Sequence, residues 1–265
     1  MRRIPACELL DEDLGTPEEV RASLDDLWWL NRNFGGLSSY GALLRQALGG
    51  MAVARPTGRD PAGQPVARRG GGAPGAPLPA AIRRRLRWLE VGAGTGQVTA
   101  ALRRELAREG FELDAFLLDR RPSHLLGAAA PPPLPAIAGD VLRPPFADAS
   151  FDLVSCSLFL HHFSGEAAVA VLAAMARLSR GAVVINDLER CWPAYVFVRL
   201  LGPFVRSRLT RYDAPVSVRQ AYRLQELRQL ARAAGYERFI VDRVRPYRLG
   251  LVAWVGPAKT SGRLS

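Results

Sequence analysis

Trp88 to Gly96 reads WLEVGAGTG: a hydrophobic run, the acid Glu90, and glycines at alternate positions, Gly92, Gly94 and Gly96, directly before a helical pattern. Glycines at that spacing let a backbone turn sharply and approach a ligand closely, with Ala93 between the first two, while the free N–H groups of the following helix attract electron-rich groups. The chemistry is that of a nucleotide-binding turn. It is not a dinucleotide fingerprint, which needs a further glycine where this chain has Gln97 and does not usually place a glutamate two residues before the first glycine. Roughly twenty residues past the loop, Asp119 ends a second β-like run, where a carboxylate can accept hydrogen bonds from both hydroxyls of a ribose; the same residue could also simply cap a strand-to-helix loop. Gly139 and Asp140, followed by LRPPFADASFDLV, form a third acidic station. His161 and His162, two of the chain's three histidines, follow a fourth β-like run, and Asp187 sits at the end of a fifth, in VVINDLER.

The elements that must position these groups are legible as an alternation. Short β-like runs at Arg87 to Val91, Leu113 to Leu118, Phe151 to Leu158 and Ala182 to Asn186 exchange with helical patterns near Gln97 to Glu109 and Glu166 to Leu178. Such alternation predicts right-handed crossovers and a mainly parallel sheet with helices on both faces, the ligand lying at the strands' carboxyl ends. A last helix near Leu224 to Ala234 precedes two β-like runs, Arg238 to Arg243 and Leu249 to Val255, close enough for an antiparallel pair. Upstream, Thr16, Pro17 and Glu19 read as an N-cap, a proline at the first helical position and the far half of a capping box. Val20, Leu24, Leu27 and Trp28 recur at helical spacing, Gly35 and Gly36 stop the pattern, and a second helix is predicted around Tyr40 to Leu48. From Ala52 to Pro79 the chain turns to Pro, Gly, Ala and Arg without apolar periodicity, which predicts a flexible linker.

The 265 residues suffice for one well-cored α/β domain with an extension. Met1 to Gly15 lacks the order of a signal peptide, and every long apolar stretch is broken before it reaches a membrane span, so a cytoplasmic protein is expected. Cys7, Cys156 and Cys191 have neither disulfide-framework nor metal-ligand spacing, so no metal is expected. The formal charge of +11 raises nucleic acid or an anionic membrane as partners, but the cations are nearly all Arg, Lys259 being the only lysine, and they are spread out instead of clustering with aromatics. A solvated Arg-rich surface is the favoured reading.

Glu90 two residues before the first of three alternating glycines resembles the first motif of class I S-adenosylmethionine-dependent methyltransferases, and the order Glu90, Asp119, Asp140, each after a strand or its equivalent, resembles the family's successive motifs. PFADASFDLVSCSLFLHHF looks most like the small-molecule branch that includes quinone-biosynthesis and natural-product O-methyltransferases, over roughly Leu86 to the C-terminus. The resemblance implies a Rossmann-like seven-stranded, mainly parallel sheet with helices on both faces and a C-terminal antiparallel hairpin, N-terminal helices being added here. It implies S-adenosylmethionine as cofactor, held by Glu90, Gly92, Ala93, Gly94, Gly96, Asp119, Arg120, Asp140, Val141 and Ser157, the side chain of Asp140 and the next backbone N–H meeting the adenine. In related O-methyltransferases a His pair after the fourth strand, with an acid at the end of the fifth, serves the acceptor hydroxyl; His161, His162 and Asp187 match. A base that removes the acceptor's proton typically adds about 10² to 10⁴ in rate. A His here can also merely cap the next helix, and relatives with a carbon acceptor carry the same pair. His124 reads as structural.

The expected organisation is an N-terminal helical extension or lid at 1–51, the linker at 52–79, a methyltransferase domain at 80–258 with a substrate-cap insertion at 190–222, and a disordered tail at 259–265. Cys191 to Val205 reads CWPAYVFVRLLGPFV, too short to span a bilayer; core packing or a lid is favoured over peripheral membrane contact. With Trp28, Trp29 and Phe34 as the facing wall, the expected acceptor is a small apolar, phenolic or quinone-like molecule methylated at oxygen. Nucleic-acid methylation is the competing reading, disfavoured because base-amino methylases usually carry an Asn or Asp, two prolines and an aromatic where this chain has SLFLHH; a binding protein that keeps the fold without turnover is another. The oligomeric state is not legible. Deleting Gly58 to Gly75 is expected to leave the thermal midpoint and cofactor affinity nearly unchanged, measured by thermal melts and calorimetry, because the segment lacks apolar anchors; a large loss of stability would show that it is packed.

Overall fold

The computed structural model describes residues 1–4, 6–54, 85–125 and 133–256. Seven strands form one sheet: β1 (Leu86–Val91), β2 (Leu113–Asp119), β3 (Ala136–Ala138), β4 (Phe151–Ser157), β5 (Ser179–Leu188), β6 (Arg238–Val244) and β7 (Arg248–Trp254), in the order β3-β2-β1-β4-β5-β7-β6. All pairs are parallel except those of β7, which runs antiparallel to both β5 and β6. The strand order reverses between β1 and β4, so a crevice opens at their carboxyl ends, where the glycine loop emerges.

Successive residues on a strand face opposite ways, and the core divides accordingly. Trp88 and Leu153 point to a layer made by α2 (Gly36–Ala54) and α3 (Gln97–Arg108), with Tyr40, Leu44, Leu48, Leu102 and Leu106. Leu89 and Val154 point to the opposite layer, made by α5 (Glu166–Leu178) and α8 (Leu224–Ala233). Because both faces are covered, the strands read as continuous apolar runs. Cys156 is buried in β4. Over the carboxyl edge lie α1 (Pro17–Asn33), the four-residue α4 (Pro122–Leu125), α6 (Trp192–Leu201) and α7 (Arg208–Gln220), with a small cluster of Leu10, Val20, Leu24 and Leu209. The capping box at the start of α1 is formed on both sides, Thr16 accepting from Glu19 N–H and Glu19 from Thr16 N–H.

Three local expectations are revised. Gly35 and Gly36 do not both stop the N-terminal helices. Gly35 makes the break with φ +77°, and α2 begins at Gly36, well before Tyr40, and runs to Ala54. A Cβ on Gly36 would lie 2.2 Å from Asn31 Oδ1, so this glycine permits the close turn between α1 and α2. The third strand is only three residues long, too brief to show a period, and β5 extends beyond the Ala182 to Asn186 core of its apolar run. Of the stretch 52–79, residues 52–54 belong to α2; the remainder, like the tail 259–265, lies outside the described residues.

Among the described residues no helix is long and apolar enough to cross a membrane. Since α2 is part of the main helical layer, truncation of fully buried Leu44 to Ala should cost about 2–5 kcal/mol. Urea denaturation checks this; a loss below about 1 kcal/mol would mean that α2 is only loosely attached.

Candidate active site

The glycine loop is built by three left-handed residues with two different tasks. Gly92, Gly94 and Gly96 have φ of +63°, +53° and +70°. A Cβ at Gly92 would meet Phe159 at 2.3 Å, and one at Gly96 would meet Leu117 at 2.4 Å, so these two are required by packing. At Gly94 the nearest atom would be Leu24 Cδ2 at 3.6 Å. Gly94 is therefore where the backbone is open to close approach from the crevice. Phe159 is brought under Gly92 by the turn after β4, which starts at Leu158 in the left-handed region (φ +53°) and is held by Leu158 N–H donating to Asn186 O at 3.0 Å.

Glu90, at the end of β1, is buried and accepts on Oε2 from Tyr40 Oη at 2.5 Å and Ser155 Oγ at 2.6 Å. Ser155 in turn accepts from Trp88 Nε1 at 2.5 Å. Burial pushes the Glu90 carboxyl up to about 7, its two hydroxyl donors offsetting only part of the cost. Asp119 is buried at the end of β2, with Oδ2 accepting from Gly94 N–H and Oδ1 from Arg121 N–H, both at 2.9 Å. His124 packs beside it, Nδ1 lying 3.5 Å from Asp119 Oδ1, and although burial disfavours its charge the neighbouring carboxylates raise its pKa. The ring expected to be structural thus also lines the crevice. Asp140 and Val141 follow β3; Asp140 accepts from Leu142 N–H at 2.9 Å, and Gly139 N–H ties this turn to Asp119 O at 2.9 Å.

His161 and His162 occupy a single 3-10 turn, Leu160–His162, with ring centroids 4.2 Å apart. His161 is 2% exposed, its Nδ1 2.7 Å from Asp187 Oδ1 and its Nε2 3.4 Å from Glu8 Oε1, while its backbone N–H donates to Asp187 Oδ2 at 3.0 Å. Burial alone would lower its pKa, but the carboxylates of Asp187 and Glu8 outweigh it and push the imidazole up to about 10. His162 is more accessible, and its Nδ1 lies 2.7 Å from Asp11 Oδ2. Glu8 is held by Ser217 Oγ at 2.7 Å and Gln220 Nε2 at 3.0 Å, and Arg3 Nη2 donates to the carbonyls of His161 and Phe163. Arg3, Glu8 and Asp11 of the N-terminal segment are therefore part of the site.

One cavity of about 440 Å³ joins these groups, within the usual range of about 300–1,000 Å³ for small-molecule sites. Glu90, Gly92, Ala93, Gly94, Asp119, Arg120, Ser157, His161 and His162 line it; Gly96, Asp140, Val141 and Asp187 do not. Asp187 lies behind His161, which it holds through the ring and the backbone N–H. At the far end the wall is apolar and aromatic, with Trp28, Phe34, Phe197 and Tyr247; Trp29 stands outside, edge-on to Phe34. Ala194, Phe197 and Val198 on the inner side of α6 line the cavity, while Trp192, Val196 and Leu200 face outward. Four of the five buried side-chain atoms that make no close hydrogen bond among the described residues belong to cavity residues: Gln97 Oε1, Arg248 Nη1, and two histidine nitrogens that face carboxylates at longer range, His161 Nε2 (Glu8, 3.4 Å) and His124 Nε2 (Asp13, 3.8 Å). Buried polar groups are rarely left so, and their concentration here marks a ligand site.

Tyr40, Glu8, Asp11 and Arg248 were not found from the sequence. Only Tyr40 had a signal, its i+4 and i+8 spacing to Leu44 and Leu48 placing it on the buried face of a helix.

Because Glu90 is raised from 4.5 to about 7, its folded form favours the proton, so its contribution to stability is fullest below pH 4.5 and is lost as pH rises through 7. Glu90→Gln should therefore gain stability relative to the natural chain across that window. Urea denaturation at several pH values reads this difference; a pH-independent difference would place the carboxylate in a solvated setting.

Residues 89–181 match the family model described as "Methyltransferase domain". Comparison with curated proteins gives no match. Among solved structures the chain is similar to the CMeT domain of the citrinin polyketide synthase, with 16% identity and a TM-score of 0.50 over 66% of this chain and 48% of that one. It is also similar to the plantazolicin methyltransferase BpumL, solved with a pentazolic desmethylPZN analog and SAH, with 14% identity and a TM-score of 0.51 over 66% of this chain and 79% of that one. At these identities the likeness concerns the fold, and the chain spans about half the length of the first of them. The family match runs from β1 into β5 on this sheet order, so this part of the chain is similar to a methyltransferase domain and the architecture is the Rossmann-like fold of such domains.

Proposed function

We propose that the chain methylates a small apolar, phenolic or quinone-like acceptor, at oxygen. The observation that carries this reading is the single cavity with the open Gly94 backbone and two carboxylates at one end and the His pair with aromatic walls at the other. S-adenosylmethionine, when bound, supplies an activated methyl group together with its own leaving group. What remains for the protein is to hold, orient and desolvate, which proximity alone can make worth several kcal/mol of barrier (about 7–11 at the upper limit).

In this reading Asp119 keeps Gly94 N–H on Oδ2 and has lone pairs left for ribose hydroxyls, Glu90 closes the floor, and Asp140 with the Val141 N–H meets the adenine beyond β3. The acceptor's proton goes to His162. His161 holds its own proton at neutral pH between Asp187 and Glu8, so it cannot serve as the base. It positions His162 and the turn that carries it. With Asp11 accepting from Nδ1–H, His162 turns Nε2 to the acceptor's proton. The apolar, aromatic far wall suits a small molecule better than a phosphate backbone, so nucleic acid is not favoured.

His162→Ala should lower turnover by about 10² or more while leaving S-adenosylmethionine affinity within a few fold, with the product identified as an ether by mass spectrometry. Near-normal turnover in this variant would remove the base assignment. On the donor side, calorimetry should show stoichiometric S-adenosylmethionine binding without competition from nicotinamide dinucleotides. Gly94→Asp should abolish that binding, and Asp119→Ala should weaken it by about 1–3 kcal/mol. Unchanged affinity in both variants would contradict the cradle.

A further inference from the structure

Arg248 opens β7 opposite Leu188, the last residue of β5, and is 6% exposed. Its Nη2 donates to Asn31 Oδ1 at 3.0 Å, a neutral partner, and its Nη1 has none. Burial pushes its pKa down to about 10 against the opposing pull of the Asp187 carboxylate, so it remains a cation at neutral pH. A buried guanidinium ordinarily sits against a carboxylate, because removing the charge from water costs several kcal/mol unless it is paired (about 3–5 when a partner is missing). Here no carboxylate forms a salt bridge with it among the described residues, and Asp187 acts on it through its charge alone.

Every carboxylate that lines the cavity is engaged elsewhere. Glu8 is held by Ser217 and Gln220 beside His161, Asp11 by His162, Glu12 faces Arg121, Glu90 accepts from Tyr40 and Ser155, and Asp119 accepts from Gly94 and Arg121. Asp187, close in sequence to Leu188, directs both oxygens at His161 and its own neighbour Leu188 N–H. Arg248 is among the residues that line the cavity, together with Phe34, Phe197 and Tyr247.

We propose that Arg248 is the anion-binding residue of the acceptor subsite, so that the molecule methylated here is an apolar, aromatic-type compound bearing a carboxylate or comparable oxyanion. Resting on the methyl-transfer reading of the cavity, this adds a charge requirement to it. The anion could in principle be the donor's own carboxylate, but β7 lies three strand spacings from β1, roughly 14 Å from the glycine loop, and on the side of the aromatic walls. The bidentate geometry of a guanidinium suits a planar carboxylate, and a site built around such a group discriminates strongly against an analogue that lacks it.

The test uses salicylate, 4-hydroxybenzoate and 1-hydroxy-2-naphthoate beside their methyl esters, which keep the ring and remove the charge. Calorimetry is run on the full chain with S-adenosylhomocysteine present. At least one acid should bind at least about tenfold more tightly than its ester, Arg248→Met should erase that preference, and Arg248→Lys should restore part of it. Without ligand, Arg248→Met should leave the thermal midpoint unchanged or raised, because it replaces a buried charge that has no salt bridge with an apolar chain of similar length. S-adenosylhomocysteine affinity should stay within a few fold in both variants. The proposal is overturned if acids bind no better than esters or not at all, or if Arg248→Met lowers the midpoint by several degrees with the acid preference intact, which makes the residue structural. It is also overturned if Arg248→Met loses S-adenosylhomocysteine binding, which assigns the anion to the donor. Failure of the natural chain to bind S-adenosylhomocysteine would instead overturn the methyl-transfer reading.

Discussion

A carboxylate buried at the end of an apolar strand must find hydrogen-bond donors, and Glu90 finds them on two different elements. Ser155 reaches it from β4, the neighbouring strand across the point where the sheet order reverses. Tyr40 reaches it from α2, fifty residues earlier in the chain. That pair of bonds fixes α2 against the sheet next to the glycine loop, and α2 in turn fixes α1 through the tight turn at Gly35 and Gly36. Leu24 of α1 is then the nearest atom to the space above Gly94. One satisfied buried acid thus links the strand that carries the glycine loop to the helix packed over it.

The second half of the site is organised by charge in the same way. His161 is enclosed by Asp187 from β5 and Glu8 from the N-terminal segment, and His162 meets Asp11 from that segment. Arg3 adds hydrogen bonds to the carbonyls around the turn. Opposite charges from distant parts of the chain thus close the cavity at the His pair, while α6 and Tyr247 supply an apolar wall. Of the two imidazoles, His162 is the more accessible and His161 is enclosed between two carboxylates.

Much of this was legible in the sequence where the determinants are local. The glycine loop announced its turn because three alternate glycines before a helix have few other uses, and the capping box at Thr16 set the start of α1 to the residue. Strand alternation gave the sheet, since β1, β2, β4 and β5 are buried on both faces and read as apolar runs. The short β3 and the early start of α2 were not legible, the first because three residues show no period, the second because Gly36 looks like a stop until Asn31 is seen packed against it. Glu8, Asp11 and Arg248 were beyond reach for another reason. Their partners lie more than 150 residues away in sequence, and a single acid or Arg in a polar stretch has no pattern that distinguishes a buried role from a solvated one. The assignment of the histidines changed on geometry: adjacent residues on a 3-10 turn face different ways, and only burial showed which one is enclosed.

The most direct test is a crystal structure with S-adenosylhomocysteine bound. The account predicts its ribose at Asp119, its backbone approach at Gly94 beneath Leu24, and its sulfur directed along the cavity toward His162, with Tyr40 still bonded to Glu90. A nucleoside bound elsewhere on the chain, or a sulfur directed away from the His pair, would contradict it.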